Sequence, residues 1–275
     1  MLYLSCLPTR KRSVNYALPN LTGLFTWLGL RCCAYLFGVL QNPLNLYQLN
    51  VEVALKIRYL GHSCVEITGK HHILIDPDFT RDPEPSVEYV CITHAHKDHI
   101  GRVADVPNAI VLASADVCEI AAHLGVPRER LHPVTPGEQV ANIQILAGYS
   151  MVNQPLYTFF YMLFRWRRPD PGGTPLSFLV QDEADLLHIG DAHEAPLSIH
   201  PDILCLPWRT TPFGPKRYKE TLIKMANRFG ARYILPIHYD LPGTEADPRE
   251  IEGRVNAVVL DGHGWYGFQN KKKLE

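Results

Sequence analysis

From Lys56 onward the apolar positions fall in short runs broken by turn residues, a spacing that predicts strands first and helices later. Residues 56–60 and 64–68 flank Gly61-His62, and residues 72–75 follow Gly69-Lys70 at hairpin spacing. Residues 87–93 and 110–113 read as buried strands, and Ser114 is placed to cap a helix over 115–124 that stops at Gly125. Further strands are predicted over 139–146, 176–181, 185–189, 203–206 and 233–236, with a helix opening at Pro215 and running to about Arg228 before Gly230. This order suits a layered α/β sandwich with antiparallel and mixed sheets, not a doubly wound fold.

Two segments break the pattern. Residues 21–40 form an apolar run of spanning length, preceded by Arg10, Lys11 and Arg12. Arg31 interrupts it, at a cost of about 2.5–3.5 kcal/mol within a bilayer, and Gly23, Gly29 and Gly38 weaken a helix there. Residues 1–52 are therefore read as an accessory or non-native N-terminal segment, with membrane association as the alternative, and the compact domain as 53–270. The second segment, 151–175, reads MVNQPLYTFFYMLFRWRRPDPGGTP, an aromatic and basic insertion. Residues 151–168 either cover a cavity, touch lipid headgroups, or pack as a helix on the protein's own core or a second subunit of a homo-oligomer.

A chain of 275 residues is long enough for one large α/β domain or two small ones. Its net charge of -1 supplies no global field for nucleic acid. Without residues 1–52 the balance is 23 basic (27 minus 4) against 27 acidic (28 minus 1) side chains, or -4, and there is no long basic stripe. Seven cysteines without a CxxC pair point to free thiols in a reducing, cytoplasmic setting.

The chemistry sits at the end of the strand over 87–93. His94, His96, Asp98 and His99 leave it in the run THAHKDH. Alternate residues of such a turn project to one side, so His94 and His96 can share one metal while Asp98 and His99 reach a second position. Imidazole and carboxylate are ligands that Zn²⁺ and Mn²⁺ accept at neutral pH. Asp191 and His238 also follow strands, and with the first cluster they supply what a two-metal site needs.

HAHKDH, Asp191 in HIGD and His238 in PIHY resemble the motifs of the metallo-β-lactamase superfamily, in their usual order. Asp76 in LIDP matches an early aspartate next to the site but outside the metal shell. YLGHSCVEI, LPW with FGP, and LPIHYD are similar to the branch that includes L-ascorbate-6-phosphate lactonase; the resemblance spans about residues 55–240. It implies a four-layer αβ/βα sandwich with two mixed sheets, and a hydrolase whose metal-activated water attacks a small ester, lactone or phosphoester. Asp191 would bridge the ions, Asp98 would ligate and accept the proton, and His62 would serve as a substrate or proton-transfer residue. Tyr149 stands where relatives keep a histidine, so one or two ions, zinc or manganese, are expected, with unequal occupancy. His132, His193 and His263 are the histidines left to compensate. Two other readings stay open: a nuclease or phosphodiesterase of the same superfamily, and a degenerate non-catalytic metal-binding protein, which Tyr149 favours.

Overall fold

The computed structural model describes residues 55–149, 172–193, 198–210 and 215–268, together with 159, 162, 163 and 170. The chain divides into two units, Met1–Val51 and Glu52–Glu275. The apolar run 21–40 and most of the insertion lie outside the described residues. Among those described, no helix is long and apolar enough to cross a membrane.

The strands are β1 (Leu55–Gly61), β2 (Cys64–Thr68), β3 (His72–Ile75), β4 (Tyr89–Cys91), β5 (Ile110–Ala113), β6 (Leu131–Pro133), β7 (Gln139–Val140), β8 (Ile143–Ala147), β9 (Leu176–Val180), β10 (Leu186–His188), β11 (Ile203–Pro207), β12 (Tyr233–Ile237), β13 (Val258–Val259) and β14 (Tyr266–Phe268). The helices are α1 (Lys97–Ile100), α2 (Ala115–His123) and α3 (Pro215–Phe229). One sheet runs β14-β1-β2-β3-β4-β5-β6 and the other β7-β8-β9-β10-β11-β12-β13. Read in these orders, both change from antiparallel to parallel pairing at the same place, after the fourth strand.

Strand alternation explains how four layers form, because successive side chains face opposite sides of a sheet. Ile73 and Ile75 of β3 point inward with Ile203, Cys205, Leu235 and Ile237 of the opposing sheet. Leu74 points outward, into the cluster that holds Val117, Cys118 and Ala121 of α2. Leu204, Leu206 and Ile234 likewise face out, toward Leu222, Met225, Ala226 and Phe229 of α3. Helix, sheet, sheet and helix therefore enclose three apolar seams, which is the αβ/βα sandwich with two mixed sheets that the resemblance implies.

Local differences have physical causes. The single strand expected over 139–146 is a hairpin, because Ala141 adopts φ 52 and turns the chain between β7 and β8. Only Tyr89–Cys91 of the stretch 87–93 joins the ladder; its last residues leave to build the site. Ser114 does occupy the N-cap of α2, yet its hydroxyl donates to Asp116 and to the Thr174 carbonyl instead of capping the backbone. The four cysteines among the described residues, Cys64, Cys91, Cys118 and Cys205, are buried free thiols.

Candidate metal centre

Both sheets deliver side chains to one place. Residues 94–99 leave β4 and enter α1, Asp191 follows β10, and His238 follows β12. Two backbone bonds tie the halves there: Leu176 N–H donates to Thr93 O at 2.8 Å and His238 N–H to His62 O at 2.5 Å. The donor atoms converge as two groups, Asp98, His99, Asp191 and His238 in one, His94, His96 and Asp191 in the other. All six metal-ligand candidates read from the sequence thus meet, with Asp191 shared.

The hydrogen-bond network sets which nitrogen of each ring is free. Asp76, fully buried, accepts from Thr93 N at 2.7 Å and from the Thr93 hydroxyl at 2.8 Å. With its proton on Asp76, that hydroxyl accepts from His94 Nδ1 at 3.1 Å, leaving a lone pair on His94 Nε2. His96 Nε2 donates to the Asp170 carbonyl at 2.9 Å, leaving a lone pair on Nδ1. His94 Nε2 and His96 Nδ1 face each other at 2.9 Å. His99 Nδ1 donates to Asp76 at 2.7 Å, which turns Nε2 toward His238 Nε2 at 3.1 Å. Asp191 Oδ1 is buried 3.1 Å from His238 Nε2 and 3.4 Å from His99 Nε2, without a well-aligned hydrogen bond among the described residues. A buried, unsatisfied carboxylate oxygen with imidazole nitrogens turned toward it is what a bound cation relieves, so a divalent metal fits this donor set.

The electrostatics agree. Burial and the neighbouring His99 push the His94 imidazole down to about 3, and burial holds His238 well below its ordinary value, so both rings are neutral donors. Burial opposes charge on His99 too, but Asp76 and Asp191 outweigh it and raise that group, so the pocket favours positive charge there. Burial would push the Asp191 carboxyl up; Arg209, His238 and His99 overcome this and hold it well below the usual carboxylate range.

His62 lies beside the centre with φ 50, its Nδ1 2.7 Å from Asp78 Oδ2 and its carbonyl bonded to His238. Asp76 and His238 are left-handed as well, at φ 53 and 65. Gly172, at φ +64, packs over the first histidine pair; an added Cβ would sit 3.0 Å from Cδ2 of both His94 and His96. Its carbonyl accepts from Ala95 N at 2.6 Å.

Several placements correct the sequence reading. His132 is exposed on β6 and His263 stacks on Tyr59; neither they nor His193 enter a donor group, so none completes the His94/His96 side. Tyr149 is 40% exposed. His72 is largely buried and bonds the fully buried Glu66 at 2.8 Å. Of residues 151–168, Phe159, Met162 and Leu163 are described, and all are exposed.

Other contributors escaped the sequence reading. His188 donates from Nε2 to Ser63 O at 3.0 Å and accepts from Gly190 N at 3.2 Å, tying the end of β10 to the His62 turn. Arg209 sits two residues past β11, its Nη2 2.7 Å from Asp191 Oδ2 and its Nη1 3.7 Å from Asp98 Oδ2. The usable signal was a charged residue just after a buried strand, the same setting as Asp191 and His238.

Known proteins resemble this chain in sequence and fold. The profile of the beta-lactamase superfamily domain matches residues 56–238. A UPF0173 metal-dependent hydrolase of Nanoarchaeum equitans is 24% identical over 223 residues, covering 75% of this chain and 97% of its own. The metal-dependent hydrolase YtkL of Bacillus subtilis is 26% identical over 239 residues, covering 76% and 98%. Among solved structures, Igni18, a metallo hydrolase of Ignicoccus hospitalis, superposes with a TM-score of 0.59 at 18% identity, covering 78% of this chain and 99% of that one. The metallo-beta-lactamase fold protein YhfI of Bacillus subtilis gives 0.54 at 13% identity, covering 78% and 99%.

Proposed function

The chain belongs to the β-lactamase superfamily and is a metal-dependent hydrolase, and we propose that it cleaves a small ester, lactone or phosphoester at the centre built on residues 94–99, Asp191 and His238. The observation that carries this reading is the convergence of six donor side chains on two groups that share Asp191. Zinc or manganese suits the mixture of imidazole and carboxylate donors. Such an ion supplies Lewis-acid polarisation and makes water a nucleophile near neutral pH.

The side chains supply the rest. Asp98 offers a carboxylate with 20% of its side chain exposed, so it can take a proton from an incoming water and release it to solvent. Asp76 keeps His99 in one tautomer through the 2.7 Å bond, and Asp170 does the same for His96 through its carbonyl. Asp78 accepts from His62 Nδ1, which leaves Nε2 as the atom that handles a proton or a substrate oxygen. A small phosphorylated lactone or similar ester is the substrate class favoured by the sequence likeness around His62 and Trp208.

Metal analysis of the purified protein, paired with turnover of a lactone, an ester and a phosphodiester panel, tests the proposal. Asp98→Ala should abolish hydrolysis and lower metal content with the fold retained. Activity within tenfold of the parent would overturn the assignment of Asp98, and a parent free of metal would overturn the centre.

A further inference from the structure

We propose that Arg209 is a built-in cation that takes the place of the second metal ion, making this a one-ion centre; the inference rests on the metal-centre reading above. The guanidinium is fixed from both sides. Trp208, fully buried, donates its backbone N–H to Ile237 O at 2.7 Å and its indole N–H to Asp247 O at 2.8 Å. Thr210 N–H donates to Thr244 O at 2.8 Å. Held between these anchors, Arg209 places one nitrogen 2.7 Å from Asp191 Oδ2 and another 3.7 Å from Asp98 Oδ2, with only 19% of its side chain exposed.

The two oxygens of Asp191 therefore have different duties. Oδ1 faces His99 and His238, inside the four-donor group. Oδ2 lies 3.9 Å from His94 Nε2 and is the anionic atom nearest that ring, but it is already engaged by a guanidinium that no accessible pH deprotonates. An imidazole that ligates a metal is neutral, so an ion held by His94 and His96 would have Asp191 as its one anionic ligand and a fixed positive charge against that same carboxylate. Formal charge gives the same answer. One divalent ion plus Arg209 against Asp76, Asp98 and Asp191 leaves 0, whereas a second ion raises the total to +2 in a largely buried pocket. Among the described residues no further donor joins His94, His96 and Asp191, and Arg209 closes that side. A guanidinium there is also positioned to receive a substrate oxygen that gains negative charge, which is the service a second ion would give.

Arg209→Met and Arg209→Gln remove the charge and keep much of the side-chain bulk, and metal stoichiometry after dialysis reads the effect. The parent should retain one zinc equivalent and bind a second at least a hundredfold more weakly in chelator competition. Each uncharged variant should bind the second equivalent at least tenfold more tightly than the parent, and Arg209→Lys should behave as the parent. A gain in metal binding is something a merely damaged fold does not produce. Two equally tight ions in the parent, a measurement that needs no variant, overturn the inference. So does a second-ion affinity unchanged in the uncharged variants while the first ion stays tight, or its recovery in Tyr149→His with Arg209 intact. A parent that holds no metal at all instead brings down the metal-centre reading on which the inference stands.

Discussion

Asp76 shows how much one residue can decide without joining the donor groups. It holds Thr93 through two bonds and His99 through a third, and it does so from a left-handed backbone conformation. Asparagine tolerates that conformation and keeps the shape, so Asp76→Asn isolates the carboxylate's charge. Outer partners of metal-binding histidines are typically worth about 10–100-fold in metal affinity. The variant should fold and lose that much affinity in chelator competition; unchanged affinity would show that His99 is oriented by packing alone. At this scale the sequence was most legible, because the HAHKDH run, Asp191 and His238 each follow a strand, where side chains have little freedom. Arg209, His188 and Asp170 left only a weak signal: each acts through a partner far away in sequence, and a lone arginine just after a strand, or a histidine at the end of one, looks the same whether or not that partner exists.

The elements were legible where both faces are buried, since β11 and β12 read as unbroken apolar runs and β3 and β9 as runs with one polar residue each. Short edge strands such as β6, β13 and β14 carry no such run, and the turn at Ala141 has no glycine to announce it. The connection into β9 matters most for the site. Gly172 combines a left-handed backbone with contact on both imidazoles of the first histidine pair. Gly172→Ala should cost about 1 kcal/mol for the backbone conformation alone and push the two rings out of register. Weaker binding at the His94/His96 side, with little change in the tightly held ion, is the expected result. Equal loss of both ions would mean that the whole loop had moved.

Across the whole molecule, the centre draws on both sheets, since residues 94–99 come from one and Asp191 and His238 from the other. Metal should therefore stabilise the fold in proportion to its binding. A free concentration a thousandfold above Kd is worth about 4 kcal/mol, so chelation should lower Tm by several degrees, and an unchanged Tm would argue against ligands drawn from both sheets. Away from the centre, Glu66 gives a pH signature. Burial would raise its carboxyl, but His72 and Arg58 overcome that and lower it. Because its folded value lies below the unfolded value of about 4.3, its stabilisation is present above that pH and lost as pH falls through the folded value. Glu66→Gln should cost about 1–3 kcal/mol at pH 7, and the Tm gap to the parent should narrow in acid; a gap independent of pH would show the loss to be one of packing.

Three of the described residues with left-handed backbones other than glycine are His62, Asp76 and His238, all at or beside the centre. Such conformations cost of order 1 kcal/mol or more apiece, and glycine would relieve them. A library screened with chelator present and only for resistance to heat should accordingly accept glycine at His62, the one of the three that is not fully buried, and discard its chemistry. A library screened for turnover should reject the same change. The two screens would draw opposite maps of this part of the chain, and the residue on which they disagree would mark the active centre without any substrate having been identified.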